Sequence, residues 1–239
     1  MILAALQLDL LPDEIQRIVS FLGYGRISAP VWFIGIEEGL GGVSLEEAVK
    51  NLKARGSFEL TMDLYEACLN LQEAGQPIDI VTHTPSTQVW RFMAKIMRAY
   101  MGEQNWRDPK AAKEYVQSRL GRHDGDTFLT ELSPIPAGNT ADTTWMTWFH
   151  ERDPELHQKL QQRRETLREM LRERENDPPL IICYSLPRAD EFAEFLGIEW
   201  QPVSARVRSS PDCKNWILPF FGNGQMSHSV IQELLGRWN

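Results

Sequence analysis

Three short segments of the chain hold residue types that do chemistry. The first runs Gly35-Ile36-Glu37-Glu38-Gly39-Leu40-Gly41-Gly42. Its glycines let the backbone approach a ligand closely, and its adjacent carboxylates offer a general base. No Gly-Lys-Ser/Thr comes after it, so it is not a phosphate-cradling loop, and its acidic mouth would repel a phosphate. The second segment runs from Thr130 to Thr140. Glu131 closes an apolar run, where a charge needs a partner or a purpose; it has the chemistry to read the edge of a base or a sugar. Pro134 and Pro136 stiffen the loop beyond Glu131. The third segment, Pro219 to His228, holds two aromatics, Asn223, Gln225, Ser227 and His228. Amides read base edges, and a histidine donates to a developing anion. Each segment also has a plainer reading. The glutamates fit a tight turn with a solvated pair, Glu131 fits an arginine or helix N-terminus partner, and Ser227 fits an N-cap.

One basic feature accompanies them. Arg91, Lys95 and Arg98 stand at i, i+4 and i+7, on one side of a helix. From residue 86 to 122 there are 8 basic and 3 acidic side chains, although the whole chain carries −8. Trp106 and Tyr115 are interleaved there, and Arg206, Arg208 and Lys214 form a smaller group before the third segment. A local field permits a nucleic-acid partner where the net charge alone does not. The run 153–177 also mixes Arg and Glu at i, i+4, which reads as a solvated packing helix.

These residues must be positioned by a fold, and 239 residues allow one large domain with its own core. The hydrophobic fraction of 42% excludes a disordered chain or a fibrous repeat. No window is apolar for long enough to span a membrane, and the acidic N-terminus does not look like a secretory leader. Cys68, Cys183 and Cys213 are odd in number and far apart, so a reducing cytoplasm is expected, with no metal site and no cofactor.

Hydrophobic periodicity supplies the elements. A helix is expected over about 13–22, then a doubly buried strand at 31–36. Ser44 and Glu47 make a capping box for a helix beginning LEEAVKNL. Further helices are expected at about 59–74, from Thr84-Pro85 onward, at 109–120 and at 153–177. Strands are expected at 126–136, 180–185 and 216–218. A helix ending at Gly197 and a closing helix over SVIQELLGRW complete the order. Strands alternating with helices predict an α/β domain, a mainly parallel sheet covered on both faces. Ligands bind such sheets at the carboxyl ends of strands, where all three segments fall. The expected organisation is one domain over 1–239, with its core from about 31 and residues 1–30 as an N-terminal helical extension.

Taken in order, the three segments resemble the uracil-DNA glycosylase superfamily. FIGIEEGL at 33–40 is similar to the FxGxNPGL pattern of its mismatch-specific branch. FLTELSPIPAGN at 128–139 resembles the Thr-Asn-x-x-Pro-x-Pro loop, and LPFFGNGQMSHS at 218–229 stands where the family has a His-Pro-Ser or Pro-x-x-Ser loop. Glu37 replaces an Asn, Glu38 a Pro, and Glu131 a base-reading Asn. The resemblance implies a three-layer α/β/α sandwich with a short parallel sheet, acting as a DNA glycosylase on a deaminated or damaged base of the uracil or hypoxanthine class. It implies Glu37 as the group that positions water and His228 or Asn223 as the donor to the departing base. Phe58 would be the stacking aromatic, with Gly35, Ile36, Glu38, Glu131, Gln225 and Ser227 also about the substrate. Arg206, Arg208, Arg91, Lys95 and Arg98 would face the backbone of single- or double-stranded DNA. Two alternatives stand beside it: an inactive relative that binds nucleic acid or a protein, and an α/β enzyme acting on a free nucleoside or nucleotide.

Overall fold

The computed structural model describes residues 9–39, 45–73, 75, 87–137 and 143–238. Among them, α1 (Pro12–Ser20) opens with proline at its first position and an acidic first turn. The Glu14 carboxylate accepts from the Leu11 N–H at 2.7 Å, which satisfies an otherwise orphaned donor. Then come β1 (Gly23–Gly25), β2 (Val31–Gly39), α2 (Leu45–Arg55), β3 (Thr61–Met62), α3 (Leu64–Glu73), α4 (Gln88–Tyr100), α5 (Pro109–Ser118) and β4 (Thr127–Ala137). The second half contains α6 (Thr144–Arg152), α7 (Leu156–Arg172), β5 (Leu180–Tyr184), α8 (Ala189–Leu196), β6 (Gln201–Pro202), β7 (Arg208–Ser209), β8 (Asn215–Leu218) and α9 (His228–Trp238). A single 3-10 turn at Leu186–Arg188 joins β5 to α8.

The strands form one mixed sheet in the order β3-β1-β4-β2-β5-β8-β7-β6. Its centre, β4-β2-β5-β8, is parallel throughout. Antiparallel pairings flank it on both sides, β1 on β4 and β7 on β8. β2 alternates its side chains between two cores, as a doubly buried strand must. Phe33 packs with Met93, Met97, Trp216, Phe221 and Ile231 under α4 and α9. Trp32 and Ile34 pack with Phe128, Leu132, Leu167 and Phe192 under α7 and α8. A third cluster gathers Ile18, Leu52, Trp145, Trp148 and Phe149 from α1, α2 and α6. The fold is therefore mixed α/β with helices on both faces of the sheet.

Several expectations change in detail. Of the expected extension over 1–30, the described residues 9–30 are not an appendage: α1 is part of the third cluster, and β1 is an inner strand of the sheet. The helix expected over 59–74 begins only at Leu64, because residues 61–62 pair with β1 instead. The charged run 153–177 is helical from Leu156 to Arg172, and a separate helix, α6, precedes it. Gly197 ends α8 in the left-handed conformation, φ 68°, as its position predicts. The capping box at Ser44 and the helix start at Thr84-Pro85 lie outside the described residues.

Candidate functional site

Midway along β4 and β2, level with the last residue of β5, polar groups replace the core. In the parallel register Gly35 lies beside Glu131, and Glu37 beside Ser133. Ile34 lies beside Cys183, which brings Tyr184 alongside Gly35. Gly35, Glu131 and Tyr184 share the face that Phe33 occupies one pleat earlier. A Cβ built on Gly35 would stand 1.7 Å from Glu131 Oε2 and 2.6 Å from the Tyr184 hydroxyl. The glycine is thus required here for space: the carboxyl group lies in the volume any side chain would take. The Tyr184 hydroxyl donates to Glu131 Oε1 at 2.5 Å, and Glu131 Oε2 is sealed from solvent. The Tyr184 ring stacks on Phe221, centroids 4.8 Å apart and planes 20° from parallel. Phe221 meets Phe33 edge-on at 6.3 Å.

Glu37 is half-buried one pleat beyond Gly35, on the same face. Its charge reaches Arg188 in the turn after β5. Arg188 is held above its ordinary value first by its bond to Glu191 and, more weakly, by Glu37. Ile36 points the other way and is buried with Trp32 and Ile34, so it cannot touch a ligand that Glu37 touches. β2 continues through Glu38 to Gly39 with an irregularity in register; the Glu38 side chain lies outside the described residues.

The end of β4 is anchored from the opposite face by Arg163 of α7, which is 4% exposed. Its guanidinium donates to the carbonyls of Phe21 at 2.6 Å, Glu131 at 2.8 Å and Leu22 at 3.2 Å. Burial pushes its pKa down, while the Glu131 charge pulls it up. Five N–H donors in a rigid fork suit this task, since one side chain satisfies several buried carbonyls at once. An open polar groove of about 630 Å³ beside α7, lined by residues including Gln158, Gln161 and Glu194, lies on the Arg163 side of the sheet, away from Glu131.

The third segment approaches from β8. Asn223 and Gly224 both adopt positive φ, 52° and 70°, and turn the chain. The Gln225 N–H closes that turn on the Gly222 carbonyl at 3.1 Å. Asn223 and Gln225 are exposed. Arg206 donates to Ser227 Oγ at 3.2 Å and to the Gln225 carbonyl, so it braces the loop. Ser227 Oγ lies 2.8 Å from Ser229 Oγ. Arg208 is half-buried in β7.

His228 begins α9 with its Nε2 3.0 Å from Lys95 Nζ. An ammonium only donates, so the ring accepts through Nε2. Its edge-on neighbours are Trp106 at 5.5 Å and Phe92 at 6.4 Å. Burial, then Lys95 and Arg107, hold its pKa below the ordinary histidine value. Burial and Arg91 likewise lower Lys95. With Nε2 accepting from Lys95, the proton the neutral ring can donate is on Nδ1. Ring contacts run from His228 through Phe92 and Phe221 to Tyr184.

Two further expectations are corrected. Phe58 is buried against Phe21, centroids 5.5 Å apart, in a cluster with Met62 and Leu71. It is core and offers no open platform for a base. Arg98 is 3% exposed and inward-facing. It bonds Glu103 at 2.7 Å, Asn105 Oδ1 at 3.0 Å and the Trp106 carbonyl at 3.2 Å. It therefore holds the α4–α5 connection and does not contact a strand of DNA. Arg91 and Lys95 stay half-exposed on α4. Sequence reasoning missed Tyr184, Phe221, Arg163 and Arg107. Tyr184 carried a signal: a hydroxyl closing the apolar run LIICY.

Among the described residues no group of three His, Cys, Asp or Glu side chains is disposed to hold a metal ion. No described helix is long and apolar enough to cross a membrane. No protein-family model, curated protein or solved structure matches this chain.

Proposed function

We propose that the chain is a DNA glycosylase-like hydrolase on a uracil-DNA glycosylase-like α/β/α scaffold, releasing a deaminated or damaged base of the uracil or hypoxanthine class. The observation that carries this reading is the Glu131–Tyr184 pair seated on Gly35 across three parallel strands, beside the Phe221 ring. The pair sets a fixed polar group beneath the strands, and uracil and hypoxanthine are flat bases with polar edges. Phe220, half-buried and 6.5 Å from the Tyr184 ring, is the aromatic beside the pair that a flat ligand taken out of its stack would meet.

In the reaction, the C1′–N bond breaks and its electron pair leaves with the base. The sugar passes through an oxocarbenium-like state. Glu37, on the same face and one pleat outward, positions a water and takes its proton as the new C1′–O bond forms. The donor to the departing base anion is the Asn223 amide at the loop tip or the Nδ1–H of His228, whose Nε2 accepts from Lys95. Ser227 and Arg206 lie beside that tip for the flanking phosphate. The free cysteines, Cys68 and Cys183 buried and Cys213 exposed, fit a cytoplasmic setting.

The test is base release from oligonucleotides carrying uracil, hypoxanthine and a wider set of damaged bases, read as abasic sites. The expected result is release by the native chain and loss with Glu37→Ala. No release from any base overturns the hydrolase. In that case, strand binding without cleavage would support the second reading, a binding protein, which the exposed cations of α4 favour.

A further inference from the structure

We infer that the crossing of α4 with the start of α9 is a phosphodiester-binding site in which binding is coupled to proton uptake by His228. The two helices pack together there. Lys95 Nζ and His228 Nε2 are 3.0 Å apart and both reach solvent. Arg91 stands one turn before Lys95 on α4. Arg107, exposed, lies over the Trp106 ring at 4.9 Å, and Trp106 holds the other side of His228. From the loop, Arg206 reaches Ser227 immediately before His228, and Ser229 stands just after it. The acids on the neighbouring elements are engaged elsewhere: Glu103 with Arg98, Glu233 with Ser204, and Asp108 with the Lys110 N–H.

Among the described residues, no carboxylate sits between Lys95, His228 and Arg107, and cations gathered in this way are stabilised by an anion from outside. The Lys95–His228 contact adds a specific feature. With the ring neutral, Lys95 spends one N–H on Nε2. With the ring protonated, two positive groups stand at hydrogen-bond distance, and the free site opposes this. Cations and burial accordingly hold His228 below its ordinary value. A phosphate oxygen placed between them accepts from both and turns the repulsion into two charge-assisted bonds. Binding therefore takes up a proton, and affinity rises as pH falls. A single such proton contributes up to about tenfold per pH unit between the free and bound pKa values. The phosphate is assigned to a strand because the cations come from three separate segments, α4, the connection after it and the β6–β7 turn that braces the loop before α9, which suits successive phosphodiesters.

This inference rests on the nucleic-acid reading above but not on its hydrolytic step. The probe is tetramethylrhodamine-labelled dT10, whose dye, undamaged bases and phosphodiesters do not titrate between pH 5.5 and 8. Anisotropy at constant ionic strength is expected to show roughly three- to tenfold tighter binding at pH 5.5 than at pH 8. His228→Gln should flatten that profile, and Lys95→Glu should weaken binding by at least about tenfold. Arg107→Glu, at an exposed position, repeats the loss without risk to the fold. A flat native profile, an unchanged profile in His228→Gln, or native affinity in both charge reversals overturns the site. Thymidine monophosphate competing as well as dT10 would overturn the strand assignment. Base release is measured separately, so a chain that binds dT10 with this pH dependence but releases no base loses only the hydrolase.

Discussion

Gly35 and Glu131 stand opposite each other on parallel strands, and the Glu131 carboxylate fills the place of the side chain that Gly35 lacks. The pairing turns one buried carboxyl group into a feature of the sheet itself. Its orientation comes from β-sheet register on one side and from the Tyr184 hydroxyl on the other.

Gly35→Ala should therefore act on Glu131 first. The new methyl group would overlap Oε2, so the carboxyl must leave its bond to Tyr184 or the strands must part. Overpacking of this kind costs about 1–3 kcal/mol. The expected outcome in urea denaturation is a lowered midpoint, together with loss of any base release. Unchanged stability would mean that the carboxyl moves freely.

Tyr184→Phe removes the donor and keeps the ring on Phe221. A buried acceptor left without its donor costs about 1–3 kcal/mol. Glu131→Gln in the same background should recover part of the loss, because a neutral amide is cheaper to bury than a carboxylate. A double-mutant cycle by chemical denaturation measures this coupling.

Arg163→Met should be among the more harmful single changes in the chain. It leaves the carbonyls of Phe21, Leu22 and Glu131 buried without the guanidinium. Relief of the buried charge offsets part of this, for a net loss of about 2–4 kcal/mol. Thermal and urea unfolding check it. An exposed neighbour, Gln161→Met, serves as the control and should change little.

Phe58→Ala separates a core ring from a ligand platform. As core it should cost about 3–5 kcal/mol. A ring serving only to stack a base would leave unfolding unchanged and alter only ligand binding.

The His228 environment also predicts how stability responds to pH. Its folded pKa is depressed, so its contribution is present above the unfolded value of about 6.5 and is lost as pH falls through the folded value. The native chain should lose more melting temperature between pH 7 and 5 than His228→Gln does. An added polyanion should narrow the difference.

The central strands were legible in the sequence because each is a short apolar run bounded by turn residues: VWFIGI, TFLTEL, LIICY and WIL. The two-residue strands at 61–62, 201–202 and 208–209 were not, because so short a segment has no period of its own. They are strands only through their partners. Glu131 stood out because a charge at the end of an apolar run is conspicuous. Arg163 did not, since it is one of many charges on α7, and only the packing of α7 against β4 distinguishes it. Arg98 shows the converse. Its spacing from Arg91 and Lys95 suggested one exposed stripe, but at the last turn of α4 the connection to α5 folds over it, and Glu103 and Asn105 receive it.

The Arg163 bond to the Phe21 carbonyl joins positions 142 residues apart. During synthesis, β1 leaves the ribosome long before β4 exists to pair with it, and longer still before α7 can lock it. β1 is thus secured late, and a chain interrupted before β4 would leave this inner strand open on its β4 edge. Contacts that span so much of the chain slow folding and lengthen that exposure. The helix that anchors the candidate site thereby also decides when β1 ceases to be a hazard.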